Sequence, residues 1–595
     1  MQAPDAPPDD AVVHYKCGNV HKDAGEPQAA LESYNRAIEL NPAYAYALCN
    51  RGVVLASLRQ LDEALASYDA ALALDPQDSI THFNRGVLLQ EQRHWKGALQ
   101  SYALAIQYDP GRFHSHFNRG VVLKEMQQWD AALASFDQAI VIDFKVAAAH
   151  FNRGVLLQQR GQLDAALQSY NKAIELDPGL YLAYFKCGGI YQEQKTPDKA
   201  VASYDRAIAI RKDYAEAWLN RGTVHYELNR LDEALASFDE AIRIRGDYAE
   251  AWYSRGSTLM KTHQVDAALK SYDRAIVLKP DFAEAQYNRS LALLQAGDYA
   301  VGWLAFEWRW KNAIKLSMGE PRVFRQPLWL GQENLKGKRI LIYCEQGLGD
   351  TLQYCRYVKL VADLGADVIF EVQAPLVSFL AHLPGVSRVL AAGSPLPEFD
   401  YQCPLLSMPL CFKTTLQSVP ATIPYVHADA DKVALWQARL GARNRPRIGL
   451  ICSGGAAYVN DQNRSIPLAE WTARLPRDFE YVCLQKEYRD ADQATLRANP
   501  WIASYAAEQK DFSDAAALVE LMDLVISVDT AVGHLAGAMG KRTWRLLPYS
   551  SDWRWMLKRE DSPWYPTMRL YRQQTAGDWS GVFGRVVADL RREFS

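Results

Sequence analysis

Apolar and small residues return along the first half of the chain at two superposed periods. Locally they fall at the three- and four-residue spacing of an amphipathic helix, and the whole pattern then repeats every 34 residues. From Thr81 to Gln92, one face carries Phe83, Val87 and Leu88. From Trp95 to Tyr108, it carries Ala98, Tyr102, Ala105 and Ile106, and Pro110 then closes the unit because proline cannot continue the hydrogen-bond ladder. A glycine marks the period at Gly18, Gly52, Gly86, Gly120, Gly154, Gly188, Gly222 and Gly256, with Ser290 at the ninth place. Alanines keep step from Ala30 to Ala268, and aromatic residues do so from Tyr34 through Tyr102 and Phe136 to Phe306. The pattern predicts stacked helical hairpins, each burying its apolar face against its neighbours. Small residues let paired helices approach, and the aromatic fills the space beside them.

These hairpins resemble the tetratricopeptide repeat over residues 11–310, as nine units of which the last is irregular. There Gly302-Trp303 and Arg309 replace small or aliphatic residues, and Trp303, Trp308 and Trp310 crowd the second helix, which predicts a cap docked on the next domain. Asn50, Asn84, Asn118, Asn152, Asn220 and Asn288 share one place on the first helix, interrupted by Lys16, Lys186 and Ser254. In this repeat the first helices line the concave wall. Amides there can grip an extended peptide backbone, as in the ladder of the protein O-GlcNAc transferases, which this one resembles. Asparagine is also an ordinary repeat residue at that place, and the two readings stand side by side. The arginines next in sequence, such as Arg85 and Arg153, are expected to lay aliphatic stems over the neighbouring helix rather than bind phosphate.

Beyond Trp310 the period ends. Residues 311–337 have a connecting composition, with Pro321, Pro327, Gly331 and Gly337. Short apolar runs then alternate with helical stretches, with strands expected at Arg339–Cys344, Asp367–Val372, Arg447–Cys452, Tyr481–Gln485, Leu524–Val528 and Thr543–Pro548. That alternation predicts an α/β architecture with parallel sheets. It divides into residues 338–430 and 445–579, separated by a softer stretch at 422–445 and succeeded by a closing helix in 580–595.

Two strand-to-helix turns carry candidate chemistry. In the first, the strand 340–344 runs into Glu345-Gln346-Gly347-Leu348-Gly349-Asp350-Thr351-Leu352-Gln353. Its glycines let backbone approach a ligand, and Asp350 is either a helix cap or a general base for an acceptor hydroxyl. In the second, the strand 524–528 leads to Asp529-Thr530-Ala531-Val532-Gly533-His534. Amides at a helix start, with the Thr530 hydroxyl, suit a diphosphate. His534 is either a donor to the same oxygens or a satisfied structural residue.

Together the turns resemble the family 9 glycosyltransferases, the group of the bacterial heptosyltransferases. GLGD and VDTAVGHLAGAMGK carry the likeness over about residues 337–594. It implies a GT-B architecture of two Rossmann-like lobes, acceptor-side first and nucleotide-sugar-side second. It also implies inverting transfer with Asp350 as base and Gly347, Gly349 and Gln353 on the acceptor-side loop. Asp529, Thr530, Ala531 and His534 are implied to contact the donor, Arg464 its phosphates, and Gln485 and Lys486 the same edge. No bound cofactor or metal is implied, only a nucleotide sugar as co-substrate. The whole chain is similar to bacterial proteins that join tetratricopeptide repeats to this domain, where tryptophan, histidine and proline are expected at Cys452, Tyr458 and Arg542.

Composition narrows the partners. A net charge of −3 gives no electrostatic case for nucleic acid, and no apolar run reaches the length of a membrane span. Nine cysteines without paired spacing suit a reducing compartment, and the start MQAPDAPPDD lacks the basic and apolar parts of a signal peptide, so a cytoplasmic protein is expected. Asp429-Ala-Asp431 and Asp490-Ala-Asp492 spell the acidic pair of metal-dependent transferases, but neither comes after an apolar strand. Trp553, Trp555, Trp564 and Tyr565 fit packing better than stacking on a sugar, while Arg554 and Arg559 are able to add charge near a diphosphate. The expectation is a glycosyltransferase acting on a protein or peptide held by the repeats. The alternatives are a glycan or glycolipid acceptor with repeats that recruit a partner, and a non-catalytic scaffold.

Overall fold

The computed structural model describes residues 10–312, 322–455 and 461–594. Backbone packing divides the chain into two units, with the division between Arg230 and Leu231.

The first unit is helical hairpins throughout its described residues, from the helix Asp10–Asp23 to the helix Ala215–Glu227. The expected pair appears as Ser79–Glu91 and Trp95–Tyr108, so the first helix starts two residues early, where Asp78 accepts from the amides of Ile80 and Thr81. The repeat glycines are required by close approach. A Cβ on Gly18 would lie 2.6 Å from the ring of Tyr34, and one on Gly154 would lie 2.7 Å from that of Tyr170. Tyr34, Tyr102, Phe136, Tyr170 and Tyr204 are fully buried with the repeat alanines. The repeat arginines act through their heads as well as their stems. Arg85 donates to Asp69 at 2.7 Å and Ser101 at 2.9 Å, and Arg153 to Asp137 at 2.6 Å and Ser169 at 2.8 Å. Each such part-exposed pair contributes about 0.2–1 kcal/mol.

The second unit opens with further hairpins, from Leu231–Ile244 and Ala249–Lys261 to Ala283–Ala296. The irregular last helix is short, Tyr299–Phe306, and tightens into a 3-10 turn at Glu307–Asn312. Trp303 is buried against Trp553 and Trp564, at ring distances of 5.3 and 6.3 Å. The expected docked cap is therefore present. Arg309 is fully buried, and its guanidinium holds Glu345 at 2.9 Å and Ser407 at 2.8 Å. A charge inside the protein persists only when paired in this way.

Two parallel sheets come next. The first contains β1 (Arg339–Tyr343), β2 (Asp367–Val372), β3 (Val386–Ala391) and β4 (Tyr401–Pro404), in the order β3-β2-β1-β4. The second contains β5 (Arg447–Ile451), β6 (Glu480–Cys483), β7 (Ile502–Ser504), β8 (Leu524–Val528), β9 (Thr543–Leu547) and β10 (Met568–Arg572), in the order β10-β9-β8-β5-β6-β7. The six expected strands all form. Strands β3, β4, β7 and β10 were not expected, because each is short or broken by polar residues. Gln485 does not end a strand as expected, since β6 stops at Cys483. The softer stretch at 422–445 contains a helix, Ala430–Leu440, started by Asp429, which accepts from Lys432 N–H. Within the expected connector, residues 313–321 lie outside the described residues, while Trp329 and Leu335 are buried and Trp329 N–H donates to Gln402 at 2.9 Å. The closing helix, Ser580–Phe594, buries Val582, Phe583, Val586 and Leu590 against the second sheet's core.

Candidate active site

Strand β1 is buried and parallel, so the chain leaves its carboxyl end into a loop and a helix, the usual ligand edge of such a sheet. That helix is Leu348–Tyr354, and Asp350 is its third residue. Asp350 Oδ2 accepts from Gly347 N–H at 2.9 Å, which is a cap, while Oδ1 forms an ion pair with Arg554 Nη2. The cap does not exhaust the carboxylate, and 18% of the side chain is exposed to solvent. Gln353 is fully buried with its Oε1 accepting from Arg554 Nε at 2.7 Å. Its Nε2 has no partner among the described residues.

Strand β8 ends at Val528 and turns through Asp529 and Thr530 into the helix Ala531–Ala538. Asp529 Oδ1 accepts from Arg545 Nη1 at 3.0 Å and faces His534 Nε2 at 3.6 Å. Asp529 Oδ2 accepts from the Trp555 indole at 2.7 Å, and Arg464 Nη1 donates to the Asp529 carbonyl at 2.8 Å. Burial pushes the Asp529 carboxyl upward, yet the His534, Arg545 and Trp555 contacts outweigh it and hold the group well below the usual carboxylate range. Thr530 makes no side-chain cap; its hydroxyl lies 3.2 Å from Ser527 Oγ.

His534 is buried in the second turn. Its pKa is lowered to about 4, first by burial and also by the nearby Arg545 and Arg554 charges, against the pull of Asp529. Its Nδ1 pairs with the Tyr565 hydroxyl at 2.9 Å. It is therefore a neutral imidazole at neutral pH, not a cation.

The two turns meet. A Cβ on Gly349 would stand 3.0 Å from His534 Cδ2 and 3.5 Å from Ala531 Cα. One short 3-10 turn, Trp553–Trp555, serves both aspartates: Arg554 reaches Asp350 and its chain neighbour Trp555 reaches Asp529. Asp552 starts that turn and also holds Arg554 Nη1 at 3.0 Å.

Other expected residues have local roles. Gln485 is buried and ties the loop after β5, with Oε1 accepting from the Cys452 amide at 2.7 Å and thiol at 2.7 Å, and Nε2 donating to Ser453 at 2.7 Å. Lys486 is exposed and donates to the Lys510 carbonyl at 2.8 Å. Arg542 pairs with Glu593 of the closing helix, so its departure from proline is accommodated. Tyr458 lies outside the described residues. Of the acidic pairs, Asp429 caps a helix and Asp492 accepts from the Leu468 amide at 2.8 Å. Among the repeat asparagines, Asn50 donates to Asn19 at 2.8 Å, Asn84 to Cys49 at 3.8 Å, Asn220 to Tyr204 at 3.5 Å and Asn288 to Tyr253 at 3.1 Å. Asn152 accepts from Lys124 at 3.0 Å, and Asn118 bonds the Tyr102 hydroxyl. Each spends part of its capacity inside the repeats.

Two residues of the site were missed by the sequence reading as donors to it, Trp555 and Arg545. The signal for Arg545 was available, since an arginine in the middle of the apolar run Thr543–Pro548 is out of pattern.

Comparison with known proteins agrees with both halves. Residues 15–79, 190–249 and 253–302 match one tetratricopeptide-repeat family, and residues 147–180 match another. Residues 492–568, which carry Asp529, His534, Arg545, Arg554 and Trp555, match glycosyltransferase family 9 (heptosyltransferase). These matches support an architecture of tetratricopeptide repeats with a region similar to family 9 glycosyltransferases after them. The match supports a glycosyltransferase equipped with repeats. Protein FlbA of Caulobacter vibrioides is 29% identical over 326 residues, covering 50% of this chain and 53% of FlbA. The chain thus spans about half the length of that curated relative. Among solved structures, YrrB, described as a TPR protein with an unusual peptide-binding site, is 29% identical over 31% of this chain and 96% of its own, with a TM-score of 0.30. Pseudomonas aeruginosa PilF is 19% identical over 36% of this chain and 97% of its own, with a TM-score of 0.33. Among the described residues, no helix is long and apolar enough to cross a membrane.

Proposed function

We propose that this chain is an inverting, GT-B-type glycosyltransferase that moves a sugar from a nucleotide sugar to a hydroxyl of a protein acceptor recruited by its repeats. The observation that carries the reading is the shared support of Asp350 and Asp529 by the consecutive residues Arg554 and Trp555. It supports a reading in which Asp350 takes a proton beside a turn that receives a diphosphate.

In this reading Asp350 accepts the proton of the acceptor hydroxyl as the acceptor oxygen bonds to the anomeric carbon. The bond from that carbon to the phosphate oxygen breaks, and its electron pair leaves with the nucleoside diphosphate. Arg554 holds the Asp350 carboxylate in place through their ion pair. Negative charge developing on the diphosphate meets the start of the helix Ala531–Ala538 and the Arg464 guanidinium nearby. His534 contributes as a neutral donor. This assigns the charge compensation to protein groups, so no metal is required by the scheme.

A second reading, transfer to a glycan or glycolipid with repeats that recruit a partner, draws on the asparagines. Their partial commitment to neighbours inside the repeats weakens the case for a ladder that grips peptide backbone. Labelled sugar traced into protein, lipid and polysaccharide fractions of cells separates the two: label in protein supports the first, and label only in the other fractions rejects it. A cytoplasmic setting is the natural one for a nucleotide-sugar donor.

A further inference from the structure

Strand β9 is buried along its whole length, yet its central residue is Arg545, fully excluded from solvent. An arginine in a central parallel strand carries a large desolvation cost and persists only for a reason. Its Nη1 donates to the Val528 carbonyl at 2.9 Å and Asp529 Oδ1 at 3.0 Å. Its guanidinium lies beneath the Trp555 ring, 4.7 Å from the centroid, and its Nε and Nη2 have no hydrogen-bond partner among the described residues. On the other side is Gly533. A Cβ there would lie 2.7 Å from Arg545 Nη2 and 2.7 Å from Ser527 Oγ. The arginine fills the space that any side chain at 533 would take.

We infer that Arg545, given room by Gly533, is a positioning residue that neutralises Asp529 and thereby keeps His534 an uncharged donor in the nucleotide-sugar turn. Two side chains compete to be the counter-ion of the half-buried Asp529, Arg545 at 3.0 Å and His534 at 3.6 Å. With Arg545 fixed under the turn, the carboxylate has its counter-ion and protonating His534 would place a second cation in the same pocket. Without Arg545, Asp529 would draw a proton onto His534 and hold the imidazolium as its partner. A histidine so held is turned to Asp529 and lost to an incoming phosphate. The other groups that face His534 are the Tyr565 hydroxyl, the Trp555 ring and, through its charge, Arg554; none of these supplies a full counter-ion to Asp529.

The inference rests on the donor-site reading, and its test separates the two. The His534 imidazole is monitored by nitrogen NMR across pH in the unliganded full chain, for wild type, Arg545→Met and the pair Gly533→Ala/Arg545→Val. Both variants are expected to raise the His534 midpoint by about one pH unit or more. The double variant refills the vacated space, so it keeps the test available if Arg545→Met does not fold. A folded variant whose His534 titrates as in wild type overturns the inference. Gly533→Ala alone is expected to disturb the turn, and Arg545→Val to restore its folding; failure of that rescue counts against the matched pair. Separately, UDP, GDP, ADP, CDP and dTDP are titrated into each protein, with a loss of about tenfold or more expected in the variants for whichever one wild type binds. Unchanged affinity in a variant overturns the effect on the donor. If wild type binds none of the five, the donor reading fails while the NMR result still decides the role of Arg545.

Discussion

Gly349 of the first turn lies directly against His534 of the second, so close that a Cβ on the glycine would stand 3.0 Å from the imidazole Cδ2. Two motifs separated by most of the α/β region are thus in contact, and the glycine is there because the contact leaves no space. Gly349→Ala is expected to force the turns apart by a few tenths of an ångström. The cost in stability is about 1 kcal/mol, and the loss in transfer rate is larger, about 10- to 100-fold. Thermal melts beside turnover measurements check this; a variant as active as wild type would show that the contact does not set the site.

Asp350→Asn keeps the cap to Gly347 possible through its amide oxygen but cannot take a proton. Transfer is expected to fall by about 10²- to 10⁴-fold with nucleotide affinity nearly unchanged. Comparing kcat with nucleoside diphosphate affinity for the variant decides it. Equal losses in both would mean that Asp350 only holds the loop.

The pH dependence of stability is set in part by His534. Its pKa is about 4 in the folded chain against an ordinary value of 6.5, because burial penalises the charged form. Between those values the unfolded chain binds more protons, so stability rises with pH across the window. The contribution is complete above 6.5 and is lost as pH falls through 4, with an upper size of ~3 kcal/mol. Denaturant melts from acid to neutral pH should show this slope and show it reduced in His534→Asn.

The last repeat belongs to the same packed unit as the two parallel sheets. Trp303 is buried against Trp553, the first residue of the turn that carries Arg554, and Gln295 donates to the Ser551 carbonyl at 3.5 Å. Trp303→Ala is expected to cost about 3–5 kcal/mol. A fragment starting at Leu231 should fold, whereas one starting at Lys311 exposes this aromatic face and should aggregate. Soluble, cooperative unfolding of the shorter fragment would contradict this.

Much of the fold and site was legible in the sequence, and the reasons differ by element. The repeats were readable because a fixed period multiplies one weak local signal, and Gly18 facing Tyr34 shows the physical cause of that period. Strands β1, β2 and β8 were readable as long apolar runs, whereas β7 has three residues and β4 includes Pro404, too little pattern to separate from loop. Asp350, Asp529 and His534 were found through local motifs. What no local pattern contains is long-range pairing: Arg554 with Asp350 is a contact across 204 positions. The neutral state of His534 depends on burial and on Arg545, and neither is visible in the segment around the histidine.

The central claim is that the second turn holds a nucleotide donor for Asp350 to use. The measurement that tests it most directly is calorimetric titration of the full chain with a panel of nucleoside diphosphates and nucleotide sugars, repeated on Asp529→Ala. Binding of one base class by wild type, weakened about tenfold or more in the variant, is the predicted result. A folded wild-type chain that binds none of them would contradict the claim and return the α/β region to the role of a scaffold.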